Sequence, residues 1–448
     1  MKKIKRRRKL KRWVKIFIVV IIIFVFLFLA LFIRNYLVKS STNDNKSVVK
    51  HKNVSISDVM NNIDDDMVDE KFLMWYKKNY DLDKLYYYLK SNKYSSEMWH
   101  ELTGRSLIVL KDMQRDIYKN MDNVKVIDNK KDKFSISFVG DVSLADNWYI
   151  MPEYDKRGKG IYGILDKNVV DIMTNSDLMI ANNEFTISDR GEKMPGKYYT
   201  FRGSPKRIPI YDEMGVDLVT LANNHVYDFG SVAFNDMLDA LNKYKMPYIG
   251  AGKNIEEASK PYYYIANGYK IGFVNASRAE KLLLTPGATE TTEGVFRCYD
   301  PEKLIQVIKE VKSESDYVIL LIHWGKEDSH ELESVQIETS RQYIDAGADV
   351  IVGSHAHVLQ GFEFYNNKFI SYNLGDFIFN HETKDTGLLE INIDKDGMFE
   401  YKFIPSLEKD KYTKLLVGDE KSRVLNLMKT WSRGNIDIDN DGIVSLVN

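Results

Sequence analysis

A series of short apolar runs between residues 134 and 379 restricts the fold of this chain more than any other feature. The runs have the length and β-branched content of buried strands, as in FSISFVG at 134–140, DLVTLAN at 217–223 and DVIVGSHAH at 349–357. Stretches with apolar residues at helical spacing lie between them, such as SVAFNDMLDALNKY. Because buried strands that alternate with helices form layered sheets, the pattern predicts an α/β domain over residues 133–410.

Polar side chains stand at the carboxyl ends of five of these runs. In layered α/β domains ligands bind beyond these ends, so we expect the side chains to converge on one crevice. They are Asp141, Glu184, Asn224, His225, His323, His355 and His357. Carboxylate, amide and imidazole groups without sulfur suit Mn²⁺, Fe, Zn²⁺ or Mg²⁺. His355 and His357 are two residues apart, so in an extended segment both project to one side, and each can reach one of two neighbouring ions.

Each of these residues also has an ordinary structural explanation when it is considered alone. Asp141 follows a glycine and would suit a helix cap, and Glu184 would suit an exposed loop. Asn224 would suit a turn, and a single strand-end histidine is usually a hydrogen-bonded polar residue. A capping aspartate and a turn asparagine have no reason to accompany three strand-end histidines, so the set as a whole favours a metal site.

Six motifs carry a family resemblance. In the order GDVSL, ANNEF, TLANNHVYDFG, IHWGKE, GSHAHVLQG and YNLGDFIFN, they resemble the CapA-type capsule synthesis proteins of the poly-γ-glutamate pathway, within the calcineurin-like metallophosphatase superfamily. The resemblance covers residues 134–405. It implies a β-sandwich flanked by helices, two divalent ions (Mn, Fe or Zn), and an anionic polymer (poly-γ-glutamate) or a phosphorylated envelope substrate. Membrane-bound capsule synthase subunits are the protein partners that it implies.

The resemblance also implies a role for individual residues. It places Asp141 and His357 on one ion, and Glu184 between the two ions. It places three residues on the other ion, namely Asn224, His323 and His355. His225 would be the general acid toward the leaving oxygen, with Asp228 orienting its imidazole. Four further residues would contact substrate, namely Glu327, Gln360, Asn373 and Asp376. For Glu327 and Gln360, hydrogen bonding within the protein is an equal alternative.

Two departures from the superfamily pattern leave the function open. Ser143 stands where phosphoesterases usually carry a ligand histidine, and Glu184 replaces a bridging aspartate, as in the CapA-type proteins. One interpretation is a metal-dependent hydrolase or transferase of capsule assembly, resembling a phosphoesterase. The alternative is a non-catalytic, polymer-binding or scaffold component of a capsule synthesis or export complex. A structural surface protein with incidental histidines is a weaker third interpretation.

The first 34 residues predict a membrane anchor. Residues 1–15, MKKIKRRRKLKRWVK, are strongly basic, and the uncharged run IFIVVIIIFVFLFLALFI follows before Arg34. At a rise of about 1.5 Å per residue, this run comes close to crossing a hydrocarbon core of about 30 Å. No small-residue cleavage pattern follows it, so we expect an uncleaved span over residues 16–34. The positive-inside rule then keeps residues 1–15 in the cytoplasm and places the main domain outside the cell.

Composition assigns the remaining segments. Residues 35–55 are polar and predict a flexible linker, and residues 56–130 have apolar residues at helical spacing and predict a small helical spacer. Residues 411–448 are predicted to form a C-terminal tail. Within it, DIDNDGIVSLVN matches part of a calcium loop but ends in Asn448 where glutamate is needed, so an Asp-Gly hairpin is favoured.

Charge and cysteine content exclude some classes of protein. The net charge of −1 and the scattered aromatic residues argue against nucleic-acid binding. Cys298 is the single cysteine, so an internal disulfide framework is excluded. With no partner thiol, Cys298 is expected to be a small buried residue.

Overall fold

The computed structural model describes residues 54–127, 131–280 and 284–447. The predicted cytoplasmic segment, the predicted anchor at 16–34 and nearly all of the predicted linker lie outside these residues. Within them, every helix falls short of the length and apolar content needed to cross a bilayer.

The described helices and strands are numbered in chain order. The helices are α1 (Ile56–Met60), α2 (Glu70–Asn79), α3 (Leu82–Ser91), α4 (Glu97–Thr103), α5 (Leu107–Gln114), α6 (Ile150–Arg157), α7 (Lys167–Asn175), α8 (Pro209–Glu213), α9 (Gly230–Tyr244), α10 (Ile255–Ser259), α11 (Glu302–Glu314), α12 (Ser334–Ala346) and α13 (Gly418–Trp431). The strands are β1 (Val124–Ile127), β2 (Lys133–Val142), β3 (Leu178–Asn183), β4 (Thr186–Ile187), β5 (Arg202–Gly203), β6 (Leu218–Thr220), β7 (Tyr248–Ile249), β8 (Ala251–Gly252), β9 (Tyr262–Ala266), β10 (Tyr269–Ser277), β11 (Gly294–Val295), β12 (Tyr317–His323), β13 (Val350–Ser354), β14 (Leu359–Tyr365), β15 (Lys368–Leu374), β16 (Asp376–Ile378), β17 (Lys384–Asp394), β18 (Phe399–Lys409), β19 (Tyr412–Leu415), β20 (Ile436–Ile438) and β21 (Ile443–Leu446).

The chain divides into two compact units, the smaller of which is helical. It holds α1, α3 and most of α2. Ser55 caps α1 through a reciprocal capping box with Asp58, and the Asp81 side chain accepts from two amides at the start of α3. Phe72 and Leu85 are fully buried in this unit. The segments with apolar residues at helical spacing in this part of the sequence therefore form helices, with side-chain caps at their starts.

The larger unit, residues 78–80 and 93–448, contains two large sheets. The first has the strand order β1-β9-β10-β12-β13-β15-β14. The second has the order β20-β21-β18-β17-β2-β3-β6-β7, with β16 paired to β2 and β19 to β18. The central strands of both sheets are parallel neighbours, as in the pairs β2–β3 and β12–β13. The predicted strands in this region are confirmed, and their continuous apolar character reflects burial on both faces.

The two sheets pack face to face, with helices on their outer sides. Phe138 and Ile180 of the second sheet and Phe273 and Ile319 of the first belong to one buried cluster. A second cluster lies between the second sheet and helices that include α7 and α9, and a third lies between the first sheet and α11 and α12. The predicted mixed α/β class is confirmed, and the layers are helix, sheet, sheet and helix. Cys298 is fully buried in the third cluster, as predicted.

The segment predicted as a C-terminal tail supplies β19, α13, β20 and β21. β19 and β21 both pair with β18, and α13 contributes Val424 and Met428 to the core between the sheets. The predicted Asp-Gly hairpin is present, because β20 and β21 pair antiparallel around it. Asp439 Oδ1 accepts from the amides of Asp441 and Ile443, which shapes the turn.

Glu408 on β18 is expected to make the stability of the metal-free protein depend on pH. Its side chain is fully buried and accepts from the amides of Phe379 and Asn380 at 2.7 and 2.9 Å. Burial, together with nearby Asp376, raises the pKa of Glu408 to about 8. A carboxyl whose pKa is raised on folding favours the folded state most at low pH. Its contribution to the free energy of unfolding is lost as the pH rises toward 8.

We therefore expect Glu408→Gln to match the wild type in free energy of unfolding near pH 5 and to exceed it by about 1–3 kcal/mol at pH 8.5. Urea unfolding in the presence of a chelator at both pH values measures this difference. An equal difference at the two pH values would contradict the prediction.

Candidate metal centre

The predicted polar residues come together where the carboxyl ends of both sheets meet. Asp141 lies near the end of β2, and Glu184 follows β3. Asn224 and His225 lie in the loop after β6. On the first sheet, His323 ends β12, and His355 and His357 follow β13. His357 is partly buried and the others are buried, so the structure forms the single crevice that the strand-end pattern predicts.

The carboxylate of Glu184 lies at the centre of this crevice. Its Oε1 is 3.5 Å from His323 Nε2, 3.8 Å from His357 Nε2 and 4.0 Å from His225 Nε2. This oxygen is buried and has no hydrogen-bond partner among the described residues. Three imidazole nitrogens thus approach one unpartnered carboxylate oxygen, and two of them belong to His323 and His357, which the resemblance implies as metal ligands.

Among the described residues, three groups of side chains each bring their potential ligand atoms within 4.8 Å of one another. They are Glu184, His323 and His355; Asp141, Glu184 and His357; and Glu327, His355 and His357. The first two groups share Glu184, in agreement with the bridging role that the resemblance implies. Asn224 Oδ1 lies 2.8 Å from His323 Nε2, so this oxygen is placed beside the first group.

In the absence of a cation, ionisation of the carboxyl groups of Glu184 and Asp141 is unfavourable. Burial raises the pKa of Glu184 well above its usual value, and Asp141 raises it further. Burial also raises the pKa of Asp141, although His357 opposes this shift. A bound divalent cation would relieve both shifts by supplying positive charge at the unpartnered Glu184 oxygen.

The imidazoles differ in their electrostatic environment. Burial lowers the pKa of His323 and of His355 well below the usual value, and neighbouring histidines add to the effect. Burial also lowers the pKa of His357, but Asp376 and then Asp141 outweigh it and raise the pKa to about 9. Neutral imidazoles are the form that binds a metal, so His323 and His355 can bind directly, whereas His357 would release a proton on binding. His355 Nδ1 is buried without a partner in the described part of the chain. The donor set therefore fits divalent cations.

The loop that carries His355 and His357 is not an extended segment, which corrects the sequence prediction. Strand β13 ends at Ser354, and both histidines have positive φ angles, 97° for His355 and 57° for His357. Residues other than glycine rarely adopt this conformation, and it persists where the surroundings enforce it. The His355 amide donates to Asp141 Oδ2 at 3.1 Å, and His357 Nδ1 lies 2.6 Å from Asp376 Oδ1. These contacts hold the strained turn.

His225 and Asp228 form a buried pair at the edge of the cluster. His225 Nδ1 lies 2.8 Å from Asp228 Oδ2, while Nε2 faces Glu184. Asp228 Oδ2 also accepts from the Phe201 amide at 2.8 Å. The aspartate thus fixes one ring nitrogen as the donor and leaves the other directed into the crevice, which is the geometry that the predicted acid and its orienting residue require.

Lys197 lies directly behind this pair and was not found from the sequence. Its side chain is 3% exposed, and the ammonium lies 2.8 Å from Asp228 Oδ1 and 3.0 Å from Glu280 Oε1. It also donates to the Asn224 carbonyl and, at 2.9 Å, to Thr285 Oγ1. Lys197 is one of two lysines in the polar stretch GEKMPGKYYT, and nothing in that stretch indicates this contact.

We expect Lys197→Met to destabilise the protein by about 3–5 kcal/mol, because it leaves the buried Asp228 carboxylate and the partly buried Glu280 carboxylate without their cation. Lys270→Met is the matched control, since Lys270 is also buried and pairs with Asp112 at 2.8 Å, but outside the metal centre. Chemical unfolding measures the loss in both variants. Only Lys197→Met is expected to lower any metal-dependent activity per folded molecule. An equal loss of this activity in both variants would contradict a positioning role for Lys197.

The four residues predicted to contact substrate occupy different environments. Glu327 is exposed, with Oε1 3.9 Å from His355 Nε2. Asp376 is fully buried against His357, and the Lys384 ammonium lies 3.4 Å from its Oδ2. Gln360 is fully buried between Gln336 and the Ser329 carbonyl, which agrees with its alternative role in hydrogen bonding within the protein.

Asn373 is also fully buried, and its Oδ1 accepts from the Gly375 amide at 3.0 Å. Its Nδ2 is buried without a partner among the residues described. The substrate-binding roles of all four residues stay predictions.

Further residues support the cluster and were missed as site residues. Asn182 Nδ2 donates to Asp141 Oδ1 at 2.8 Å and lies 3.3 Å from Glu184 Oε2. Its position in the motif ANNEF, two residues before Glu184, was the available signal. Ser354 Oγ lies 2.8 Å from His323 Nδ1 and orients that ring. Ser143, where a ligand histidine is usual, is buried, and its hydroxyl has no partner within the described ranges.

The fold and this centre define a class of protein: a layered α/β protein with a buried carboxylate and imidazole cluster suited to divalent cations. The family of bacterial capsule synthesis proteins called PGA_cap matches residues 135–381. The chain belongs to this family, and the family predicted from the motifs is confirmed.

Named relatives agree with this assignment. The chain is 30% identical over 289 residues to the PGA biosynthesis protein CapA of Bacillus subtilis (strain 168), covering 63% of this chain and 73% of that protein. It is 27% identical over 322 residues to the capsule biosynthesis protein CapA of Bacillus anthracis, covering 68% of this chain and 75% of that protein.

A solved structure aligns more weakly. The crystal structure of TT1561 of Thermus thermophilus is 10% identical and covers 60% of this chain and 98% of that chain, with a TM-score of 0.32. At this TM-score the alignment carries no information about the chemistry of the centre.

Proposed function

We propose that this protein is a membrane-anchored, extracytoplasmic capsule synthesis protein that acts as a metal-dependent hydrolase or transferase on a phosphorylated or polymeric envelope substrate. The observation that carries the proposal is the unpartnered Glu184 oxygen, which faces three imidazole nitrogens within 4.0 Å. The names of the relatives favour a role in poly-γ-glutamate capsule synthesis.

Asp141, Glu184 and His357 would hold one divalent ion. The other would be held by Glu184 and three further residues, Asn224, His323 and His355. When bound, such ions supply Lewis-acid activation of a phosphoryl group and of water. His225 would donate a proton from Nε2 to the leaving oxygen, while Asp228 holds the opposite nitrogen. Asp376 would keep His357 in its binding orientation through the 2.6 Å contact.

Metal content of the full-length protein tests this proposal. Elemental mass spectrometry after incubation with Mn²⁺ and Zn²⁺ should find one or two ions per chain, and none in the double variant His355→Ala/His357→Ala. A screen of phosphoesters and γ-glutamate polymers should then find turnover that a chelator abolishes. Absence of bound metal in the wild-type protein would overturn the proposal.

One observation favours a second candidate, a non-catalytic component that binds an anionic polymer within a capsule synthesis complex. Ser143 leaves the ion at Asp141, Glu184 and His357 with one imidazole ligand fewer than phosphoesterases usually provide, and its buried hydroxyl has no partner in the described structure. Stoichiometric metal and polymer binding without turnover of any screened substrate would support this candidate over the enzyme.

The proposed location rests on the basic residues 1–15 and the apolar run that follows. Protease added to intact cells should cleave the main domain and leave the N-terminal segment protected. Protection of the whole chain would overturn the proposed orientation.

A further inference from the structure

Two of the three histidines implied as metal ligands are oriented in the same way. His323 Nδ1 lies 2.8 Å from Ser354 Oγ, and its Nε2 lies 3.5 Å from Glu184 Oε1. His357 Nδ1 lies 2.6 Å from Asp376 Oδ1, and its Nε2 lies 3.8 Å from the same Glu184 oxygen. In each ring a neighbouring oxygen holds one nitrogen and leaves the other directed into the centre. This is the usual arrangement of a histidine that binds a metal.

His355 has the opposite arrangement. Its Nδ1 is buried and has no hydrogen-bond partner among the described residues. Its Nε2 lies 3.9 Å from Oε1 of Glu327, which supplies the only described carboxylate within 4.0 Å of this ring. The ring belongs to the cluster, with its centroid 4.6 Å from that of His323. Nδ1 is therefore the nitrogen available to an ion, and Nε2 is the nitrogen that needs an orienting acceptor.

The backbone that carries Glu327 is fixed relative to the turn that carries the histidine. The Trp324 amide donates to the Ser354 carbonyl at 3.0 Å, and the Asp328 amide donates to the Ala356 carbonyl at 2.9 Å. These two bonds lie on either side of Glu327 along the chain. Its side chain, by contrast, is 56% exposed. Rotation of that side chain alone can therefore shorten the separation of 3.9 Å to the hydrogen-bond distance of about 2.8 Å.

The single proton of a neutral imidazole explains why this contact is open without an ion. When the proton is on His355 Nδ1, the Nε2 lone pair faces the Glu327 carboxylate and no hydrogen bond forms. An ion at Nδ1 requires the proton to be on Nε2, and Nε2 can then donate to the carboxylate. Occupation of the centre and closure of this contact are thus linked.

We infer that Glu327 is a positioning residue of the metal centre, which accepts a hydrogen bond from His355 Nε2 when an ion is bound at His355 Nδ1. The inference rests on the proposed function, and it gives Glu327 a role toward a ligand of the protein in place of the predicted substrate contact. A carboxylate in this position fixes the ring and strengthens the imidazole as a ligand. Asp376 already holds His357 in this way, so each of the two proposed ions would have one histidine oriented by a carboxylate.

The affinity of the full-length protein for Zn²⁺, measured by competition with a chelator, tests this role. We expect Glu327→Ala to bind the same number of ions as the wild type, one of them at least about tenfold more weakly. Glu327→Gln should lose less affinity than Glu327→Ala, because an amide oxygen still accepts from Nε2.

Glu382→Ala is the matched control. Glu382 is 55% exposed, and its Oε2 lies 3.5 Å from the Lys384 ammonium, which also contacts Asp328. The control therefore removes one exposed negative charge from the same surface without affecting a contact of His355. It should bind Zn²⁺ as the wild type does.

The Tm of the metal-free protein separates positioning from a general structural role. Glu327 lies 3.9 Å from His355 in the structure without an ion, beyond hydrogen-bond distance, so Glu327→Ala should keep the metal-free Tm of the wild type within about 2 °C. A clear fall in this Tm, together with weaker binding, would assign Glu327 to the stability of the loop and overturn the inference.

Three results of the Zn²⁺ measurement would also overturn the inference. Wild-type affinity in Glu327→Ala would return Glu327 to the predicted substrate contact. Equal losses in the alanine and glutamine variants would make Glu327 a ligand itself. Loss of one whole ion per chain, with the others unchanged, would assign a separate ion to the group of Glu327, His355 and His357.

This measurement also separates the inference from the proposed function. A wild-type protein that binds no Zn²⁺ would overturn the proposed function together with the inference. A wild-type protein that binds Zn²⁺ no better than Glu327→Ala would overturn the inference alone. Since metal affinity is measured without a substrate, a loaded protein without turnover would refute the enzyme and keep the positioning role.

Discussion

Replacing Glu184 with glutamine is expected to abolish stoichiometric metal binding and, at the same time, to stabilise the metal-free protein. Glu184 is the one residue shared by the two buried ligand groups, so its loss weakens both ion sites. Glutamine has nearly the same shape but one neutral oxygen, which is a poor substitute for a bridging carboxylate. We expect metal affinity to fall by at least about 10²-fold.

The stabilisation follows from the electrostatics of the centre. Burial and Asp141 raise the pKa of Glu184, so this carboxyl lowers the stability of the folded state progressively as the pH rises above its usual pKa. Glutamine removes that cost, which in the wild type grows as the pH rises. We expect the Tm measured with a chelator to rise by at least about 2 °C, the shift that about 1 kcal/mol gives a domain of this size.

Glu408→Gln is the matched control for the metal measurement. Glu408 is likewise fully buried and has one unpartnered oxygen in the described structure, but it belongs to none of the three ligand groups found there. It should keep the metal content and the metal-induced rise in Tm of the wild type. If Glu184→Gln also keeps its metal, Glu184 is not a bridging ligand and the two-ion arrangement is wrong.

His225→Ala is expected to lower turnover by about 10² to 10⁴ without loss of metal. The imidazole directs Nε2 into the crevice and lies beside the ligands without being implied as one, so its removal takes away a proton donor and leaves the ligand set intact. Steady-state kinetics on the substrate found in the screen, together with elemental mass spectrometry on the same sample, measures both effects.

His100→Ala serves as the histidine control. His100 stacks on Tyr269 and lies 2.6 Å from the Asn267 carbonyl, outside the cluster, so activity should be unchanged. Asp228→Asn should give part of the loss, because it no longer fixes the His225 tautomer. A substrate with a good leaving group should rescue His225→Ala, since such a group needs no proton. Lack of rescue would assign His225 a positioning role.

Much of the centre could be predicted because its residues directly follow buried strands, which the sequence pattern identifies. A buried strand is recognisable by its apolar content, and the polar residue that follows it must face either solvent or a site. Asp141, Glu184, His323 and His355 were found in this way. The contacts between strands could not be predicted in the same manner, because hydrogen-bond partners such as Asn182 and Ser354 depend on register and packing.

The prediction for the His355 and His357 segment shows where sequence pattern fails. Spacing by two residues predicts a common side only if the backbone is extended. Here the chain leaves β13 at Ser354 and turns with positive φ angles, held by Asp141 and Asp376 from other strands. Tertiary contacts thus replaced the local preference of the chain.

The α/β class, the family and the inventory of ligand groups follow from the amino-acid sequence, because these depend on periodicity and on motifs within short segments. The folded structure was needed to show which atoms converge on Glu184, that Lys197 supports Asp228, and that Glu327 lies beside His355. Those features join residues that are distant along the chain, and the free energy of packing between sheets and loops, rather than local propensity, positions them.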